Sequence, residues 1–188
     1  KYDSWLMIDE AHATGVIGKN GLGLANQLNL NTRIDILMGT LSKALGSQGG
    51  FVAGSKSLIE YFINNARSFV YSTGLNPAAC GAAYKAIEIL EKDSSLIKKL
   101  NENRLLFETI TGLKSPSAIY PIILGDASKA LKAAEEIRQT GFFVQAIRPP
   151  TVPIGSARLR ITISATHTPE EIEKFALLLK SHLPIKQT

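Results

Sequence analysis

Asp35-Ile36-Leu37-Met38-Gly39-Thr40-Leu41-Ser42-Lys43-Ala44-Leu45-Gly46-Ser47-Gln48-Gly49-Gly50 constrains this chain more than any other stretch. The apolar run Ile36–Met38 reads as a buried strand. Small hydroxyl residues, one lysine and a glycine cluster follow it. A lysine at the end of a buried strand loses hydration, which lowers its pKa and frees an amine at neutral pH. A Schiff-base lysine requires such an amine. Thr40 and Ser42 offer hydroxyls to an anion such as phosphate. The glycines let backbone approach closely or turn through conformations other residues avoid. A surface lysine on a strand-to-loop turn accounts for the same residues, so two readings of Lys43 stand at this point.

Trp5-Leu6-Met7-Ile8-Asp9-Glu10-Ala11-His12-Ala13-Thr14-Gly15 is a second apolar strand, over residues 5–9, and it ends in an acid. The pyridine nitrogen of pyridoxal phosphate needs a carboxylate partner to stay protonated, and Asp9 can supply one. His12 can reach the ring's phenolic oxygen or stack beside it. Two strand ends joined by a crossover converge at one edge of a parallel sheet, where α/β folds bind ligands. Asp9-Glu10-Ala11-His12 also spells the acidic box of a helicase class, but such an ATPase needs G-x-x-x-x-G-K-[ST] as well. That string is absent from the 188 residues.

Ile8-Asp9-Glu10-Ala11-His12 and Gly39-Thr40-Leu41-Ser42-Lys43-Ala44-Leu45-Gly46 resemble the cofactor motifs of the α-oxoamine synthases. These are fold-type I pyridoxal-phosphate enzymes that condense an amino acid with an acyl-CoA and release carbon dioxide. The resemblance implies an α/β fold: part of a mostly parallel large-domain sheet, then a small α+β C-terminal domain with an antiparallel sheet. It implies that Lys43 carries the cofactor and moves the substrate α-proton, and that Asp9 and His12 attend the ring. Thr40 would help hold the phosphate, together with Ser72 and Thr73 of a neighbouring subunit, which makes a homodimer the expected state. Local turn capping by Ser72 and Thr73 is the other reading of those hydroxyls. Asn76 stands where the family often has the first of two prolines.

With 45% hydrophobic residues, the chain can bury one sizeable core or one and a half domains. No apolar run approaches the roughly 20 residues that span a membrane, and no signal peptide is visible. The single cysteine, Cys80, excludes an internal disulfide and fits a reducing, cytoplasmic compartment. It lies in a run of small residues, so tight helix packing is its expected role. The net charge of +5 is spread over helix faces, unlike a nucleic-acid footprint. No metal-ligand spacing stands out. Lys1-Tyr2-Asp3-Ser4 leads straight into a strand without an initiating Met, and against the family roughly the N-terminal half is missing. The chain is therefore expected to be a piece of a longer one, with an inactive assembly module as one reading of the piece alone.

The pattern predicts further strands at 34–38, 50–54 (antiparallel) and 68–71, and helices from Ser55 or Ser57 to Asn65 and from Pro77 to Lys92. Asp93-Ser94-Ser95 is a break and cap, and the expected domain boundary separates 1–93 from 94–188. The second part reads helix 96–111, strand 118–124, helix 127–140, strand 142–147, strand 158–164, then a helix opened by the capping box Thr168-Pro169-Glu170-Glu171. Along the 158–164 strand, Arg158, Arg160 and Thr162 share one face. An arginine there can grip a carboxylate with two parallel hydrogen bonds, and a surface salt-bridge strand is the alternative. The resemblance assigns the substrate carboxylate to Arg160 and leaves Arg158 structural. Arg148-Pro149-Pro150-Thr151-Val152-Pro153 is characteristic of the family branch that joins L-alanine to a pimeloyl thioester in biotin synthesis, with Thr151 lining the acyl site. Sister branches that use glycine or serine are the alternative.

Overall fold

The computed structural model describes residues 4–182; the expectation drawn from Lys1-Tyr2-Asp3 lies outside them. The chain forms two compact units that divide between Ile97 and Lys98.

In the first unit, β1 (Met7–Asp9) runs parallel to β2 (Ile36–Thr40), with Met7 opposite Ile36 and Asp9 opposite Met38. A crossover containing the single-turn helix α1 (Leu24–Gln27) joins them. The strand β3 (Gly50–Gly54) returns antiparallel to β2, so the sheet order is β1-β2-β3. Three helices follow. Ser55 caps α2 (Lys56–Asn65) by accepting from Leu58 N–H. The short α3 spans Arg67–Val70. Asn76 Oδ1 accepts from Ala78 N–H ahead of Pro77 to open α4 (Pro77–Lys92). Leu41, Leu45 and Ala83 form a buried cluster against which Phe51, Ala86 and Leu90 pack.

Several expectations for this unit need correction. Residues 5 and 6 precede the first strand, and β2 starts at Ile36 and continues to Thr40. Neither strand is deeply buried: Trp5 is 73% and Met7 56% exposed, and Ile36–Met38 are only half-buried. Burial belongs to the layer packed on a strand, which an apolar run cannot specify alone. The strand expected at 68–71 is helical: Val70 N–H bonds Ala66 C=O and Tyr71 N–H bonds Arg67 C=O. The β-preference of Phe-Val-Tyr is a preference for a half-buried pleated surface. These side chains are exposed instead, so local hydrogen bonds decide. Cys80 is also exposed, because Ala83 and Ala86, on another face of α4, make the packing contact.

The second unit begins within α5 (Ser95–Thr111) and continues through β4 (Ile119–Gly125), α6 (Ala127–Gln139), β5 (Gln145–Ile147), β6 (Ala157–Thr162) and α7 (Pro169–His182). Its sheet is antiparallel, in the order β4-β6-β5. Phe107, Tyr120, Leu159 and Leu179 are fully buried. The Phe107 ring lies 4.9 Å from Tyr120 and 6.3 Å from Phe175. The capping box forms as read: Glu171 N–H donates to Thr168 Oγ1 (3.2 Å) and Thr168 N–H to Glu171 Oε2 (2.9 Å). The expected strand at 142–147 shortens to 145–147, and residues 142–144 together with Ile161, Ile163 and Phe175 line a cavity of about 400 Å³.

Candidate functional site

The parallel pairing of β1 and β2 brings their C-terminal ends side by side. Glu10 N–H donates to Met38 C=O (2.7 Å), which continues the ladder one residue past Asp9. Asp9 Oδ1 then accepts from Ala11 N–H (2.8 Å), forming a tight turn that sets His12 beside the strand end. Both Asp9 and His12 are exposed. Next door, Thr40 ends β2. Its hydroxyl donates to Ala11 C=O (3.4 Å) and accepts from Lys43 Nζ (3.1 Å). Thr40 thus links the acidic turn to the lysine turn.

Lys43 sits on a closed loop. Leu41 N–H bonds Gly49 C=O (2.9 Å), Ser47 N–H bonds Leu41 C=O (2.8 Å), and Gly46 N–H bonds Lys43 C=O (3.0 Å). Gly46 and Gly49 take positive φ, 61° and 102°, which glycine adopts without steric cost. Leu41 and Leu45 flank the lysine and are both buried, so two apolar side chains hold the loop down while Lys43 projects outward. Ser47 Oγ also donates to Ala79 C=O (2.6 Å), tying the loop to α4. Lys43 is exposed, which corrects the expectation of a dehydrated amine: the described residues place no apolar cover over it. Ser42 is exposed as well.

Gly39 is fixed by packing. A Cβ there would lie 2.7 Å from the Phe51 ring, so glycine lets β3's aromatic side chain cross β2 just before Thr40.

Ser72 and Thr73 are both exposed at the end of α3. The Ser72 hydroxyl donates to Ser68 C=O, a local turn contact.

Two candidate residues belong to the second unit. Arg160 lies on the central strand β6, opposite Pro121 and Gln145. It is half-buried, and its guanidinium makes no hydrogen bond or ion pair among the described residues. Arg158 Nε donates to Ser156 C=O (2.9 Å). Neither arginine pairs with an acid among the described residues. Thr151 is exposed in the proline-rich loop, where its N–H bonds Arg148 C=O (3.1 Å).

Glu10 was legible only as half of an acidic box. It is buried, and its two carboxylate oxygens accept from Leu24 N–H (3.0 Å) and Ala25 N–H (2.7 Å). Its signal was strand alternation: an acid next to Asp9 projects to the opposite face. Among the described residues no cluster of His, Cys, Asp and Glu could hold a metal, and no helix is long and apolar enough to cross a membrane.

Residues 1–178 match the family model for aminotransferase class I and II. An 8-amino-7-oxononanoate synthase of Anaeromyxobacter dehalogenans is 44% identical over 193 residues, covering 98% of this chain and 48% of the relative. One from Pseudomonas entomophila is 43% identical, covering 90% and 45%. Among solved structures, a serine palmitoyltransferase of Sphingomonas wittichii superposes with a TM-score of 0.85 at 28% identity, covering 95% of this chain and 47% of that one. The 8-amino-7-oxononanoate synthase of Francisella tularensis gives 0.77 at 30% identity, covering 94% and 53%. The chain spans about half the length of the curated relatives it matches.

Proposed function

The chain belongs to the aminotransferase class I and II family, and from that premise we propose that it carries the C-terminal portion of an 8-amino-7-oxononanoate synthase. Its α/β fold, with small sheets, is that of the fold-type I pyridoxal-phosphate transferases. The proposed reaction condenses L-alanine with a pimeloyl thioester, releases carbon dioxide and serves biotin synthesis. The proposed organisation is the end of a cofactor-binding domain up to Asp93 and a small domain from Ser94, in a cytoplasmic homodimer.

The observation that carries this reading is the Thr40 hydroxyl, which spans Lys43 Nζ and the Ala11 carbonyl at the ends of two parallel strands. The donor set fits pyridoxal phosphate: an exposed primary amine, an exposed carboxylate with one oxygen already held, a histidine beside it and a hydroxyl between. When bound, that cofactor supplies a conjugated sink for the electron pair left on the substrate α-carbon. Lys43 would hold it through Nζ, and the freed amine would take the α-proton onto the same atom and return one. Asp9 would supply the carboxylate that keeps the ring nitrogen protonated, and His12 would attend the ring. Thr40, with the partner subunit's Ser72 and the partner subunit's Thr73, holds the phosphate. Arg160 clamps the substrate carboxylate with two parallel hydrogen bonds, which orients the bonds at the α-carbon. Thr151 lines the acyl site.

Borohydride reduction of the full chain with pyridoxal phosphate, followed by peptide mapping, tests the site. A pyridoxyl group on Lys43 alone is the expected result, and an unmodified Lys43 in folded protein overturns it. The serine palmitoyltransferase structures favour one second reading, a sister enzyme that uses serine. An amino-acid panel separates the two, since preferential turnover of serine or glycine over alanine would sink the alanine assignment. The exposed Trp5 and Met7 favour an assembly role for the chain alone, which activity of the isolated chain would exclude.

A further inference from the structure

Glu10 has a bonding pattern unlike that of any other acid near the site. Its N–H donates to Met38 C=O (2.7 Å), and its own C=O accepts from Ala13 N–H and Thr14 N–H (both 2.9 Å). Its carboxylate oxygens take Leu24 N–H and Ala25 N–H, one each. Only 3% of the residue is exposed. Both oxygens are therefore committed to backbone, which leaves Glu10 no magnesium or substrate role.

The clamp requires a glycine. Gly23 has φ +97°, and a Cβ on it would lie 1.7 Å from Glu10 Oε2. No side chain could occupy that position while the carboxylate keeps its place. The crossover therefore carries a matched pair: an acid that reaches across it and a glycine that lets it approach.

We propose that Glu10 is a positioning residue for Asp9. This rests on the reading of Asp9 as the acid facing the ring nitrogen. Asp9 and Glu10 are adjacent at the strand end and project to opposite faces. One outward carboxylate meets the ligand, and the inward one bolts the same backbone to the start of α1. The Asp9–Ala11 turn, and with it the contact from Thr40 to Ala11 C=O, is held from below by the Leu24–Ala25 amides. Sites work only when a supporting shell holds the contacting groups in place, and a displacement of about 1 Å can cost 100-fold in rate.

Two variants test this in the full chain. Glu10→Gln keeps the size but turns an NH₂ group toward a backbone N–H, so one bond is lost and two donors face each other. Leu24→Pro removes a single donor at the first position of α1, where proline is tolerated, and leaves Glu10 intact. The readouts are pyridoxal-phosphate affinity and the pH at which the absorbance band of the bound cofactor changes, with circular dichroism reporting the fold. The expected result is affinity about tenfold weaker in Glu10→Gln and a smaller loss in Leu24→Pro. In both, the band change moves to higher pH, because a ring nitrogen that Asp9 keeps protonated less well withdraws less charge from the conjugated nitrogen supplied by Lys43, which then holds its proton to higher pH. A merely structural Glu10 would alter melting without moving that pH. If Glu10→Gln does not fold, Leu24→Pro decides. Wild-type affinity and an unmoved band in the folded variants overturn the assignment of Glu10 alone. A wild-type chain that takes up no pyridoxal phosphate overturns the functional reading and this assignment with it.

Discussion

In the second unit Phe107, Leu159 and Leu179 are almost completely removed from solvent, whereas in the first Trp5 is 73% and Met7 56% exposed. Both units carry apolar strands flanked by helices, yet only one closes a core over its sheet with described residues. The second unit gathers aromatic rings from three of its elements around the sheet, with Phe107 against Tyr120 and Phe175. The first unit anchors its loops at a few points, through Leu41, Leu45 and Ala83, the Glu10 carboxylate and the Ser47 hydroxyl. Those anchors lie next to Asp9, Thr40 and Lys43, the residues the proposed reaction uses. The contrast separates two tasks. The second unit's stability comes from buried area, and the first unit's order at the site comes from hydrogen bonds and close glycine contacts.

The sharpest way to break this comparison is to remove chemistry without touching packing. On the proposed function, Lys43→Ala should eliminate borohydride-trapped cofactor and lower turnover by about 100- to 10,000-fold from the proposed proton-transfer role alone. Hydrogen exchange across the first unit should stay unchanged, because the side chain is exposed.

The next effect lies in the second unit. Phe107→Ala should destabilise it by about 3–5 kcal/mol, since the removed ring leaves a cavity. Met7→Ala, at an exposed position, should stay within about 0.5 kcal/mol. Hydrogen exchange read on peptides of each unit separates the two, and equal losses would erase the contrast.

The second unit also has a pH signature. Burial pushes the Tyr120 phenol up to about 12, with the neighbouring Glu108 carboxylate acting in the same direction and the Arg104 guanidinium opposing. A raised phenol pKa favours the folded state while the phenol is neutral. That stability is present below pH 10 and is lost as pH rises from 10 toward 12. Glu108 behaves in the opposite sense. Burial alone would raise its pKa, but hydrogen bonds from Tyr120 and Lys114 and the charges of Lys114 and Arg104 together hold it below 4.5. Its contribution is present above pH 4.5 and fades as pH falls through the lower, folded-state value. Tyr120→Phe should flatten the alkaline limb of a melting-temperature profile, and an unchanged limb would assign it to other groups.

The smallest effects belong to the caps. Thr168→Ala in the second unit and Asn76→Ala in the first should each cost about 1 kcal/mol in thermal unfolding. Similar losses would mean that local capping works alike in both units and that their difference lies in the cores.

Sequence was most informative where a signal is local. Ser55 (read alongside Ser57), Pro77 and the Thr168–Glu171 box each marked a helix start the structure shows, and the Asn76 cap emerged only from the structure. The alternation of Arg158, Leu159, Arg160 and Ile161 matched the observed burial of β6. The parallel meeting of the Asp9 and Lys43 strand ends followed from two apolar runs joined by a crossover. Ser68–Tyr71 was misread as a strand because β-preference needs a partner strand, and Phe142–Val144 because edge pairing can stop anywhere along an apolar run. Lys43 is exposed, as the surface reading of its turn has it and the dehydrated-amine reading does not, and Cys80, expected to pack, is exposed as well.

Sequence by itself determined the caps, the glycine turns and the order of chemical groups along the chain, since each depends on neighbours within a few residues. Only the tertiary structure decided which side chains are buried, which hydroxyl bridges Lys43 to the Asp9 turn, and that Glu10 reaches Leu24 and Ala25 past Gly23. Those outcomes depend on distances between residues 14 to 29 positions apart, which are set when a crossover folds back on its sheet.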